Sequence, residues 1–162
     1  MVIVFKFVET NEEIQKTETL AQKTWTKHYT PIIGINQVNY MLKTFQSKKA
    51  IMQQITKEGY QYYLIELDGE SIGYFSIKEE ETYLFLSKFY ILQEFRKRKL
   101  ASQALAFIKT RTNNKSIRLT VNKNNTTSIA IYQHWGFKVI DAVVTNIGYN
   151  FVMDDYIMEL SL

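Results

Sequence analysis

Hydrophobic and polar positions along the chain change period twice. Residues 2–8, Val-Ile-Val-Phe-Lys-Phe-Val, are β-branched and aromatic and predict a strand. The apolar spacing then lengthens to three and four. Thr10 with Glu13 forms a capping-box pattern, and a helix is expected to about Tyr29, broken by Pro31 and Gly34. A second helical stretch starts at Ile35 or Asn36 and runs through Gln46. Ser47 caps a short third helix that ends at Gly59. From Tyr60 the period falls to that of strands. Residues 60–67 and 70–78 flank the turn Asp68-Gly69, a strong hairpin signal. The acidic turn Glu79-Glu80-Glu81 leads into a further strand over residues 82–92.

The second half alternates. After four consecutive cations, residues 100–112 carry apolar side chains at Leu100, Ala104, Leu105 and Ile108, the spacing of a helix. Residues 117–122 predict a strand and 125–135 a short helix stopped by Gly136. Residues 137–146 and 151–160 predict two strands around a turn at Gly148. No repeat, linker or low-complexity segment divides the 162 residues, so the order predicts one mixed α/β domain over 1–162.

Composition narrows the chemistry. The chain has no cysteine, which excludes a disulfide framework, a thiolate metal site and a cysteine acyl-enzyme. Two distant histidines argue against a multi-histidine metal centre, and no metal is expected. The apolar run Val2–Phe5 is too short for a signal core or a membrane span, so a soluble cytoplasmic protein is expected. The net charge of +4 hides an asymmetry: Phe95 to Ile140 holds ten of the twenty Lys and Arg residues and no Asp or Glu. One part of the chain is built to meet an anion, and the rest is mildly acidic.

The cations Arg96, Lys97, Arg98 and Lys99 sit where a strand passes into a helix. Unpaired N–H groups at a helix N-terminus and the helix dipole favour a phosphate there, and the small residues Ala101 and Ser102 let it approach the backbone. The next strand–turn–helix places Asn125 as an N-cap, with Tyr132 two turns further on the same face.

Together these segments resemble the GNAT acyl-CoA-dependent N-acetyltransferases. That family's phosphate loop reads Arg/Gln-x-x-Gly-x-Gly/Ala, and here it is Arg96-Lys97-Arg98-Lys99-Leu100-Ala101. Its later signature reads Asn-x-x-Ala-x-x-x-Tyr-x-x-x-Gly-Phe. Here Asn125, Ser128, Tyr132, Gly136 and Phe137 occupy the named positions, with Ser128 where Ala is usual. The resemblance implies a GNAT-like domain with about seven strands in a mixed, centrally splayed sheet flanked by helices. Lys99 stands where the family usually has glycine. Either it adopts the left-handed conformation, at a cost of roughly 1 kcal/mol, or it takes ordinary helical angles and lends its ammonium to the phosphates.

By that resemblance the chain is an N-acetyltransferase that moves an acetyl group from acetyl-CoA to a primary amine. Main chain near Phe89, Tyr90 and Ile91 pairs with the pantetheine and offers an N–H to the oxyanion. Arg96, Lys97, Arg98, Lys99, Leu100, Ala101 and Ser102 hold the pyrophosphate, and Asn125 and Ser128 contact the cofactor from the second helix. Tyr132 corresponds to the general acid for the departing thiolate. With no cysteine, the amine attacks the thioester directly in a ternary complex.

The strand that often carries a glutamate in relatives reads Leu86-Ser87-Lys88-Phe89-Tyr90, which leaves the base among Glu66, Glu79 to Glu81 and a water. Trp25, Tyr29 and Tyr40 are candidates for the acceptor side, with His28 close by. Asp154 and Asp155 either mark a bulge or attract a cationic amine. Looser similarity to the bacterial spermine/spermidine acetyltransferase branch suggests a polyamine or another small cationic acceptor. No nucleic-acid or membrane partner is expected, and the resemblance allows a homodimer. Two alternatives stay open: a catalytically silent acyl-CoA sensor, and a basic nucleic-acid-binding domain with no recognisable reader motif.

Overall fold

The computed structural model describes residues 1–96 and 98–162; Lys97, one of the expected phosphate ligands, lies outside the described residues. The strands are β1 (Ile3–Phe7), β2 (Gln61–Leu67), β3 (Glu70–Glu79), β4 (Leu84–Ile91), β5 (Ser116–Asn122), β6 (Lys138–Gly148) and β7 (Phe151–Ser161). The helices are α1 (Asn11–Ile33), α2 (Ile35–Phe45), α3 (Lys48–Lys57), α4 (Leu100–Lys109) and α5 (Thr126–His134). The seven strands form one mixed sheet in the order β1-β2-β3-β4-β5-β7-β6.

Local chemistry explains most of the boundaries. Thr10 and Glu13 form the expected capping box at the start of α1. Burial opposes ionisation of Glu13, but the N–H groups of Thr10 and Glu9 hold its carboxyl down at about 2. α1 runs past the expected end at Tyr29 to Ile33, with Pro31 inside its last turn. The Thr30 hydroxyl donates to the Thr26 carbonyl and the Gly34 N–H to the Thr30 carbonyl, so the turn survives the missing proline donor. Gly34, at φ 84°, is the actual break. The Asp68-Gly69 turn has positive φ at both residues, as the hairpin signal requires.

Two cores lie on opposite faces of the sheet. Leu100, Ala104, Leu105 and Ile108 of α4 pack with Phe75, Leu86 and Leu119, and Ile129, Tyr132 and Trp135 of α5 join them at the rim. On the other face Ile14, Leu20, Ala21 and Trp25 of α1 cover Tyr62, Leu64 and Tyr74 together with α2 and α3.

The centre of the sheet parts. β4 and β5 are its parallel pair, and they are in register only at Leu84–Ile117 and Phe85–Arg118. Beyond Phe85 the β5-facing edge of β4 carries no strand, while β5 continues its pairing with β7 to Asn122. A bulge marks the parting. Ser76 faces Lys88 and Ile77 faces Leu86, which leaves Ser87 as an extra residue on β4. Downstream, β3 and β4 approach closely at Gly73, where a Cβ would fall onto the Tyr90 carbonyl oxygen and meet the Ile91 Cα at 3.0 Å. Gly73→Ala therefore forces β4 outward. A loss of about 1–3 kcal/mol is expected in denaturant unfolding, the usual cost of overpacking.

Candidate active site

A cavity of about 720 Å³ opens in the gap between β4 and β5. Leu86, Ser87, Phe89, Tyr90 and Ile91 of β4 form one wall, and Leu119, Thr120 and Val121 of β5 form the other. The start of α4 closes one end, α5 contributes Asn125, Thr127, Ser128, Ile131 and Tyr132, and α1 contributes His28 and Tyr29.

The α4 end has the features that an anion site requires. The first internal bond of the helix among the described residues runs from the Gln103 N–H to the Lys99 carbonyl, and among those residues the N–H groups of Leu100, Ala101 and Ser102 have no partner. Lys99, Leu100, Ala101, Ser102 and Arg96 all line the cavity. Lys99 resolves the question its sequence position raised: it is left-handed, at φ 58° and ψ 16°, with no side-chain cap on the helix. Arg98 is absent from the cavity wall and stacks over the Phe95 ring, 5.4 Å from its centre. The Arg96 Nε donates to the Ile91 carbonyl at 3.3 Å, which ties the loop to the end of β4.

Asn125 is buried and its amide is doubly used. Its oxygen accepts the Ser128 N–H, and its Nδ2 lies 2.8 Å from His28 Nε2. An amide nitrogen only donates, so His28 accepts and its ring is neutral. Burial, reinforced by the Arg96 charge, lowers the His28 pKa in agreement. His28 joins the cavity through a partner 97 residues away, a contact without a local signal in sequence.

Tyr132 lies on the cavity wall, packed edge-on against Trp135 and Phe137. Its hydroxyl has no hydrogen-bond partner among the described residues. Burial, with a smaller contribution from Tyr29, raises its pKa well above that of a free phenol. Tyr29 and Tyr90 share a 2.8 Å hydroxyl–hydroxyl bond at the same wall, and burial pushes Tyr29 up to about 12.

The expected acceptor residues divide. Tyr29 lines the cavity; Trp25 is core, and Tyr40 donates to the Ile147 carbonyl and packs edge-on against Tyr149 and tilted against Phe151 near the β6–β7 turn. Asp154 and Asp155 make no bulge, because the register with β6 runs unbroken through both. Alternation sends them to opposite faces. Asp154 is held by Lys123 Nζ at 3.0 Å. Asp155 is 6% exposed with no hydrogen-bond or ion-pair partner among the described residues, and its charge acts on Tyr29. Desolvation, with some repulsion from Asp154, pushes its carboxyl up to about 6. The carboxylates considered as bases lie away from the cavity. Glu66 accepts from Ser71, Glu79 from Thr112 and Asn114, and Glu80 pairs with Lys78.

Acetyltransferases are among the solved structures that superpose on the chain. They include the PaiA N-acetyltransferase of Thermoplasma acidophilum in complex with coenzyme A (20% identity, both chains covered in full, TM-score 0.82). A GNAT acetyltransferase of Elizabethkingia anophelis with acetyl-CoA bound has 18% identity, covers 72% of this chain and 84% of its own, and gives a TM-score of 0.61. The ribosomal-protein-S18-alanine N-acetyltransferase of Escherichia coli has 15% identity, 99% and 94% coverage, and a TM-score of 0.70. These likenesses establish an acetyltransferase fold. The acetyltransferase (GNAT) domain family matches residues 11–159, and the chain belongs to that family. No curated protein sequence matches the chain. Among the described residues no helix is long and apolar enough to cross a membrane.

Two variants read the strain stored here. Lys99→Gly removes the left-handed penalty on a residue with a Cβ and is expected to raise the melting temperature, equivalent to about 1 kcal/mol. Asp155→Asn removes an unpaired buried charge. The folded pKa is raised, so ionisation destabilises the fold increasingly as pH climbs from about 4 through about 6. The variant is therefore expected to melt higher than the parent at pH 8 and equally at pH 4, as read by thermal unfolding at the two values.

Proposed function

We propose that the chain transfers the acetyl group of acetyl-CoA to the nitrogen of a small cationic amine by direct attack in a ternary complex. The observation that carries this reading is continuity. The unpaired edge of β4 leads into the bare N-terminus of α4, and both open into the cavity whose wall holds the free Tyr132 hydroxyl.

The residues present fit the donor. The N–H groups of Leu100, Ala101 and Ser102, with Arg96 and Lys99, suit a pyrophosphate. Main chain from Phe89 to Ile91 offers the hydrogen-bonding edge that an extended amide-bearing arm needs. Acetyl-CoA, when bound, supplies an activated acyl carbon. A β4 N–H directed at its carbonyl oxygen lowers the barrier by stabilising the charge that develops there. Tyr132 holds the proton for the departing sulfur, and the burial that keeps the phenol protonated makes a desolvated thiolate more basic as well. Asn125 and Ser128 act by positioning: their shared cap fixes the start of the helix that carries Tyr132.

A cationic acceptor, such as a diamine or polyamine, is supported by Asp155. This is a buried carboxylate without a counter-ion, beside a tyrosine of the cavity wall. The fold bears its desolvation cost, and an arriving ammonium offsets it.

Thiol release from acetyl-CoA in the presence of spermidine, propane-1,3-diamine, glycine and a peptide N-terminus tests the reading. The diamines are expected to be the better acceptors. Tyr132→Phe is expected to lower kcat about 100-fold, while acetyl-CoA still raises the melting temperature of both proteins. Absence of that thermal shift in the parent protein at millimolar acetyl-CoA overturns the donor assignment. Equal losses in kcat and in acetyl-CoA binding reduce Tyr132 to a packing residue.

A further inference from the structure

The proton that leaves the acceptor needs a destination, and the carboxylates of β2 and β3 lie elsewhere. Lys88 is the ionisable side chain at the bulge of β4. It points to the α1 face of the sheet, the side of Tyr90, because it stands opposite Ser76 and two residues before Tyr90. Its Nζ donates to the Ser87 Oγ at 2.7 Å, and Ser87 is part of the cavity wall. The amine thus lies one hydrogen bond behind the cavity wall, joined to it through the Ser87 hydroxyl. Among the described residues no carboxylate lies within ion-pair distance of Nζ. Its cross-strand neighbour Ser76 is fully buried and neutral. The ionisable groups that share this face include the phenols of Tyr29, Tyr60, Tyr62, Tyr74 and Tyr90, the amine of Lys78, the imidazole of His28 and the carboxyl of Asp155. Each phenol is shifted toward its neutral form by burial, and none supplies Lys88 with a negative charge.

We infer that Lys88, as the neutral amine, is the base that takes the proton from the acceptor's ammonium. This rests on the transferase reading above. The step balances. The ammonium gives one proton to the Ser87 hydroxyl as that hydroxyl passes its own to Lys88 Nζ, and the freed nitrogen attacks the acyl carbon. The carbon–sulfur bond breaks, with its electron pair on sulfur. Tyr132 protonates the sulfur, and the nitrogen's second proton restores the phenol. Lys88 then releases its proton to solvent, so one proton leaves per turnover. Burial supports the assignment, because it lowers the ammonium's pKa to about 8 and leaves roughly a tenth of the side chain neutral at pH 7. A lysine that spends time neutral is also compatible with a cationic acceptor held by Asp155.

The test pairs two variants with two acceptors. Lys88→Arg keeps the positive charge but does not deprotonate, and Lys88→Met removes both functions. With propane-1,3-diamine both variants are expected to lose about 100-fold or more in kcat/KM. With 2,2-difluoropropane-1,3-diamine, one nitrogen of which is already free near neutral pH, the loss is expected to shrink to a few-fold. The acetyl-CoA thermal shift of each variant reports on folding. The kcat profile of the parent protein with the unfluorinated diamine provides a measurement that needs no variant, and it is expected to rise with pH through about 8. Three results overturn the proposal: Lys88→Arg within threefold of the parent, equal losses with both acceptors, or a parent profile flat between pH 7 and 9. A parent protein that binds acetyl-CoA but releases no thiol with either diamine overturns the transferase reading itself, and this proposal with it. A parent that turns over while Lys88→Arg matches it removes only the base.

Discussion

The site depends on a failure of strand pairing. Two neighbouring parallel strands share only two residue pairs, and β4 then keeps its inner partner β3 while losing its outer one. An unpaired strand edge inside a protein is unstable unless something satisfies its N–H and C=O groups. Here the edge faces a cavity, so the backbone is left ready for an extended ligand. The extra residue at Ser87 and the close approach at Gly73 are the devices that set the direction of β4 at this point. Both act through the backbone, and both precede the strand–helix turn where the anion site begins.

Around that gap the molecule accumulates local costs. Lys99 is left-handed despite its Cβ, and among the described residues Asp155 is a buried carboxylate without a partner and Lys88 an amine without a counter-ion. Elsewhere similar groups are satisfied: Glu13 by its capping box, Asp154 by Lys123, Arg118 by Glu159 at 2.6 Å. The contrast within one chain is informative. Strain in the cavity wall, with uncompensated charge close behind it, is what a site organised for a ligand displays, because the ligand supplies missing partners. The acid-free basic segment follows the same logic. Part of its charge is neutralised by acids that β7 brings across the sheet, and part stays at the mouth of the cavity.

Much of this was legible before the fold. Strand and helix order, the Asp68-Gly69 hairpin, the N-cap at Asn125 and the α4 anion end all follow from local rules of period, capping and turn chemistry. The parts that were not legible are non-local. A bulge is a relation between two strands, so Ser87 looks like an ordinary strand residue until β3 is laid beside it. Alternation says that Asp154 and Asp155 face opposite ways, but only the packing of α1 shows which one is sealed in. Tyr40, on the second helix, is an acceptor-side candidate by sequence. The structure instead uses it as a clasp between α2 and the β6–β7 turn. Pro31 misled in a simpler way, since one proline at the end of a helix removes one bond, and the Thr30 hydroxyl and the Gly34 N–H carry the turn past it.

The same desolvation acts on both proton-handling groups, with opposite consequences for charge. A phenol taken out of water resists ionising, and an ammonium taken out of water resists staying ionised, so Tyr132 and Lys88 are both biased toward neutrality. Where burial disfavours the charged form of both groups, the incoming acceptor brings the main charge to be managed, and Asp155 lies beside Tyr29 of the cavity wall. Proton transfer to Lys88 then moves a positive charge from the nitrogen that must become a nucleophile to one that need not. The phenol meanwhile remains protonated until negative charge appears on sulfur. The order of events is imposed by burial, with no need for a strongly basic carboxylate on β4, and this accounts physically for how such a site operates with lysine at that position.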